Sequence, residues 1–151
     1  MKNVFRASEK LFFNILIICL LSYIYFTILP MNEITLTLGL IFCIFYFGCN
    51  FYAGYRYDLK LQEALIVGII GCGMGIFLGI FAIYTQTILQ SPDTAIWMMM
   101  PYFIPTLSIT KIFSITVNLN YTLNLMIINV LLVIIGSISK NIMNKFFTIF
   151  K

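Results

Sequence analysis

From Leu11 to Leu29 the chain runs through LFFNILIICLLSYIYFTIL without a single charge. Nineteen residues wound as a helix reach about 28 Å, close to the hydrocarbon thickness of a bilayer. Comparable runs recur at 35–55 (TLTLGLIFCIFYFGCNFYAGY), at 62–87 and at 121–139 (YTLNLMIINVLLVIIGSIS). Hydrophobic residues make up 62% of the 151 and charged residues 9%, against about a quarter charged in soluble domains. Mean hydropathy is +1.03. A soluble chain of this size would lack the polar surface it needs, so the reading is an all-α integral membrane protein of one domain, 1–151, with the lipid bilayer as its surroundings.

The N-terminal MKNVFRASEK has the charge of a signal-peptide n-region. The apolar run after it is too long, and no small-x-small cleavage site follows. The first helix is therefore read as uncleaved, with Pro30 ending it. Between the second and third runs, RYDLKLQE is short enough only for a helical-hairpin turn.

The segment 90–120 is the ambiguous one. TAIWMMMPYFIPTL is apolar, but Pro101 and Pro105 would interrupt a span and Lys111 would lie inside it. Charge placement decides the topology. With four spans and the N-terminus inside, Lys2, Arg6, Lys10, Arg56, Lys60, Lys140, Lys145 and Lys151 are cytoplasmic and only Lys111 is outside, so eight of the nine basic residues obey the positive-inside rule. A fifth span would carry the last three lysines outside. The expectation is four transmembrane helices in the cell membrane, N-in and C-in, with a long outer loop between the third and fourth. Tyr23, Tyr25, Tyr84, Trp97, Tyr102 and Tyr121 fall at the outer interface and Tyr55 and Tyr57 at the inner one. Within the loop, TLSITKIFSITVNLN alternates polar and apolar residues, which argues for extended chain. The alternatives are a strand or small hairpin lying wet at the interface, or a short interfacial helix; an amphipathic cap over the outer face of the bundle is favoured.

The third run holds five of the nine glycines, although a helix-interior glycine costs roughly 1 kcal/mol against alanine in water. Ala64, Gly68, Gly71, Gly75, Gly79 and Ala82 lie within about 40° of Gly75 on a helical wheel, a continuous small-residue stripe; Gly73 faces the other way. In lipid, close backbone approach supplies the helix–helix attraction that the hydrophobic effect does not. The stripe therefore makes the third helix the packing spine of the bundle, with the second helix and its Gly48 as the expected partner, or the first or fourth. The stripe serves internal packing, or a homo-oligomer or another membrane subunit; a narrow path or a sliding surface is the functional alternative.

Function classes are bounded mostly by what is missing. The chain has no histidine, the commonest general base and zinc ligand. Cys19, Cys43, Cys49 and Cys72 form no C-x-x-C pair and read as small buried hydrophobes. No span carries Asp, Glu, Lys or Arg at its middle, which argues against a proton-coupled exporter or an intramembrane aspartyl or zinc protease. GIIGCGMG has neither the strand before it nor the acidic residue after it that a nucleotide fingerprint requires. The basic residues are too dispersed for nucleic acid. No catalytic residue, metal ligand or cofactor site is expected. The embedded polar residues are Asn14, Asn50, Asn124 and Asn129; each reads as an interhelical hydrogen bond or as a site. In the inner turn, Arg56 with Asp58 and Lys60 with Glu63 are placed to pair, as a solvated hairpin or as a docking position.

The stretch FGCNFYAGYRYDLKLQEALIVGIIGCGMG resembles the second and third helices of uncharacterised small four-helix membrane proteins of archaea and Firmicutes. In those proteins a helix ending in a Gly-x-x-x-Ala-Gly pattern precedes a short polar turn and a helix with Gly-x-x-Gly-Gly steps. Gly48, Ala53, Gly54, Gly68, Gly71, Gly73 and Gly75 are the corresponding positions, with Gly48 one residue farther from Ala53 than in that pattern and Cys49 and Cys72 where small residues are usual. The resemblance implies fold and membrane residence, and no activity. The expected protein is a non-enzymatic accessory or structural membrane subunit, with a small oligomeric transporter or channel as the alternative.

Overall fold

The computed structural model describes residues 2–149, with side chains from Asn3 to Asn144. Of the inner basic residues inferred from the sequence, Lys151 lies outside the described residues and Lys2 and Lys145 outside the described side chains. The elements are α1 (Lys2–Ile28), α2 (Glu33–Arg56), α3 (Leu61–Gly71), α4 (Gly73–Thr87), α5 (Pro92–Phe103), a single 3-10 turn (Ile104–Thr106), α6 (Leu107–Ile112) and α7 (Leu119–Ile149). Among the described residues there is no strand. Three helical stretches, Asn3–Ile28, Glu33–Arg56 and Leu119–Asn144, are long and apolar enough to cross a membrane, and α3 with α4 passes the same test as a bent pair.

Local chemistry sets the boundaries. The Asn32 side chain accepts from the Thr35 N–H (2.8 Å) and caps α2, with Glu33 in the first turn. Asn118 caps α7 the same way through the Tyr121 N–H (2.8 Å). Glu63 reaches back to accept from the Lys60 N–H (2.8 Å) at the start of α3. Each satisfies an N–H that the helix itself leaves unpaired. Pro92 opens α5, where its missing N–H costs nothing.

The most extensive helix contact joins α2 and α7. These helices run parallel: Asn50 meets Asn129 and the Arg56 carbonyl meets Lys140. Their backbones touch at two glycines. A Cβ added at Gly54 would run into the Val133 carbonyl oxygen, and one at Gly136 into the Phe51 carbonyl oxygen. The Ser137 hydroxyl donates to the Leu59 carbonyl (2.7 Å) and ties the turn between α2 and α3 to α7.

The glycine-rich run differs from expectation in two ways. It is not one straight helix: α3 and α4 meet at Cys72 with a 57° bend. Glycine on both sides of Cys72 is a recognised cause of such kinks. The stripe also packs mainly on α1 and α7, both among the expected partners, and on α5, rather than on the second helix. A Cβ at Gly68 would lie 3.1 Å from Val130 of α7, one at Gly71 2.5 Å from Leu11 of α1, and one at Gly75 2.7 Å from the Tyr102 ring. Gly79 faces Met126 and Met99. Ala64 and Ala82 are buried as well. Gly48, the expected partner, has nothing within 4 Å of its Cβ position.

The segment 90–120 is also corrected. It does not cap the bundle. α5, the 3-10 turn and α6 form a hairpin inserted among α1, α2, α4 and α7, and residues 102–108 are all buried. The two prolines build this hairpin rather than exclude it. Pro101 lies inside α5 and Pro105 in the 3-10 turn at its tip. Of the polar members of the alternation, Thr106, Ser108 and Thr110 go inward, while Ser114, Thr116 and Asn118 are exposed. Thr106 and Thr110 donate to carbonyls three residues back (2.7 and 2.9 Å), which lets a hydroxyl be buried inside a helix. Only residues 113–118 of the alternating stretch lie outside helix, and 115–118 have no regular secondary structure.

Candidate functional site: a neutral polar cluster at the centre of the bundle

The tip of the hairpin reaches the level of the Cys72 bend, and there four polar side chains converge. Tyr46 and Asn50 come from α2, one turn apart. Tyr102 comes from α5, and Asn129 from α7. All four are fully buried. The Asn129 amide donates to the Tyr46 hydroxyl (2.8 Å) and to the Tyr102 hydroxyl (2.9 Å). The Asn50 amide donates to the Asn129 carbonyl oxygen (3.2 Å) and to the Tyr46 backbone carbonyl (2.8 Å). The two tyrosine rings meet edge to face at 6.1 Å and 77°. Two thiols close the periphery: Cys19 lies 3.8 Å from the Tyr102 carbonyl and Cys72 3.7 Å from that of Met126.

The cluster depends on a gap in α4. Gly75 faces the Tyr102 ring, and any side chain there would occupy the ring's place. The chemistry is neutral throughout, with amides and phenols and no carboxylate or ammonium. Asn129 uses both amide protons and its oxygen. The Asn50 carbonyl oxygen has no donor among the described residues.

Of the expected polar positions, Asn50 and Asn129 are brought together here. Asn124 is not; it is exposed on α7 beside a shallow apolar hollow of about 220 Å³ between α2, α6 and α7. Asn14 is exposed about midway along α1. The expected pairs Arg56–Asp58 and Lys60–Glu63 do not form among the described residues. Glu63 caps its own helix instead. Arg56 sits over the Tyr52 ring, 5.7 Å from its centre, and donates to the Tyr52 hydroxyl (3.3 Å). Asp58 and Lys60 are exposed.

Tyr46 and Tyr102 are the site residues that sequence reasoning missed. Tyr102 is not part of an outer aromatic belt; it is in the centre. The available signal was Tyr46, which falls mid-run between Thr35 and Tyr55, too deep for a belt residue. The four cysteines are free, and Cys19, Cys43 and Cys72 are buried. Among the described residues no three His, Cys, Asp or Glu side chains gather as metal ligands do. No family model, curated protein or solved structure matches the chain.

Proposed function

We infer that the protein crosses the cell membrane four times, with both termini cytoplasmic and the bent α3–α4 pair as the third span. It acts as a non-enzymatic subunit whose rigid core presents its outer helix faces to lipid and to a partner membrane protein. On this reading the α5–α6 hairpin enters from the outer side to mid-bilayer depth. The likeness of residues 47–75 to small four-helix membrane proteins of archaea and Firmicutes belongs to the same proposal.

The observation that supports it is the closure of the central polar groups on one another. Asn129 is saturated by Asn50, Tyr46 and Tyr102, and such bonds between embedded side chains hold helices together at about 0.6 kcal/mol each. The small-residue stripe is likewise filled by Val130, Leu11 and Tyr102 of the same chain, so assembly would use other faces. The test is electrical: purified protein in planar bilayers should leave the membrane resistance unchanged across Na⁺, K⁺ and Cl⁻ gradients.

A small transporter or channel is the second reading, and one feature favours it. The Cys72 bend and the 3-10 turn are two interruptions of helix that flank the central cluster, in which the Asn50 oxygen has no donor among the described residues. Interrupted helices meeting near the midplane are how many transporters form their sites. A conductance abolished by Asn50→Leu would replace the first reading with this one.

A further inference from the structure

A second polar site lies near the opposite end of the bundle from Lys111, between α1 and α2. From α1 come Ala7, Lys10, Leu11 and Asn14; from α2 come Cys49, Tyr52, Ala53 and Arg56. Both sets follow the i, i+3, i+4, i+7 spacing of one helix face. The small residues Ala7 and Ala53 are buried and form a floor, while Lys10, Asn14, Tyr52 and Arg56 are exposed along the rim. The space enclosed is about 40 Å³, room for about three water-sized groups.

The rim is one-sided in its chemistry. Its lining offers an ammonium, a guanidinium, an amide and the two tyrosines Tyr52 and Tyr57, and no carboxylate. Among the described residues neither Lys10 nor Arg56 has an acidic partner. The Arg56 guanidinium is held in place by stacking on Tyr52 and bonding to its hydroxyl. Lys140 brings a third cation to the inner end of α2, its ammonium 3.0 Å from the Arg56 carbonyl.

We propose that this cleft binds the phosphate of an anionic phospholipid of the cytoplasmic leaflet. Three phosphate oxygens match the enclosed space, and the donors match their charge. The apolar faces of α1 and α2 beyond the rim suit the acyl chains. Basic pockets between helices on the cytoplasmic side are the usual seats of anionic headgroups. The leaflet assignment rests on the N-in topology proposed above; the donor set does not.

The test is native mass spectrometry of the full-length protein titrated with phosphatidylglycerol, phosphatidylcholine or inorganic phosphate. The wild type and Lys111→Gln should retain phosphatidylglycerol in preference to phosphatidylcholine. The double variant Lys10→Gln, Arg56→Gln should retain it on the order of 30-fold more weakly, and Lys10→Arg, which keeps the charge, should bind as the wild type does. All these positions are exposed, so the fold is not at stake. Equal retention by the double variant overturns the site. Displacement of the lipid by equimolar inorganic phosphate overturns the lipid as its ligand. Glu9→Cys, adjacent in sequence to Lys10, separates the leaflet from the site. Labelling by an impermeant maleimide only after the cells are opened supports the cytoplasmic leaflet. Labelling on intact cells overturns that leaflet and the topology, while the titration still judges the cleft.

Discussion

Gly75 and Tyr102 occupy one another's space: a Cβ on the glycine would lie 2.7 Å from the Cζ of the tyrosine. The glycine is thus tied to the central hydrogen bonds as well as to helix packing. Gly75→Ala should cost about 1–3 kcal/mol, the range for overpacking a filled core, and Gly75→Ile should destabilise the bundle more. Thermal unfolding in detergent measures this. The double variant Gly75→Ala, Tyr102→Leu should recover part of the loss, because the ring that clashes is gone. If the double variant is no better than the sum of the two singles, the ring is not what fills the gap.

Gly54 and Gly136 should prove less tolerant than any glycine of the third run. At both, the added methyl meets a backbone carbonyl, and no rotamer change can move a backbone aside. Gly54→Ala and Gly136→Ala should each cost about 3 kcal/mol or more, whereas Gly48→Ala should be neutral or slightly stabilising, since its Cβ position is open. Expression yield and melting temperature of the three variants check the order. A Gly48 variant as damaged as the Gly54 variant would mean that this face is covered in the membrane.

Much of the helix layout was legible in the sequence, because charge-free runs of bilayer length have few other outcomes. Asn50 and Asn129 could be named because amides inside apolar runs stand out, although nothing in one sequence says that they meet. The path of residues 92–112 was hidden for a physical reason. Prolines, a lysine and an alternating Thr/Ser pattern are all signals against a buried helix in isolation. They become compatible with one when hydroxyls bond back to their own helix, as Thr106 and Thr110 do, and when neighbouring helices wrap the tip. The Gly54–Gly136 crossing was missed for a related reason. A stripe of five glycines draws attention to one helix, but two single glycines facing each other across α2 and α7 make the closer approach.

The central cluster should behave as glue with Asn129 as its hub. Asn129→Leu removes the donor to both tyrosines and the acceptor for Asn50, and should cost about 1–2 kcal/mol at the strengths typical of embedded hydrogen bonds. Tyr102→Phe removes one bond and keeps the ring against Gly75, so its cost should stay below about 1 kcal/mol. Unfolding in a mixed-detergent titration separates the two. Equal costs for both would mean that the single bond to the Tyr102 hydroxyl, and not the wider network around Asn129, carries the stability at this position.

Topology is decided by which lysines an impermeant amine reagent reaches on intact cells. Lys111 lies at the exposed end of α6, beside Phe113 and Ser114, and Lys60 lies at the turn between α2 and α3. Both are exposed, so reactivity reports the side of the membrane and not burial. On the proposed arrangement Lys111 is modified from outside and Lys60 only after the membrane is opened. A hairpin that dips in and returns predicts a further result. Thr94 at the start of α5 and Lys111 at the end of α6 should be accessible from the same side, so an impermeant maleimide should label Thr94→Cys from the side on which the amine reagent reaches Lys111. Labelling of the two from opposite sides would make residues 92–112 a span, reverse α7 and place the C-terminus outside.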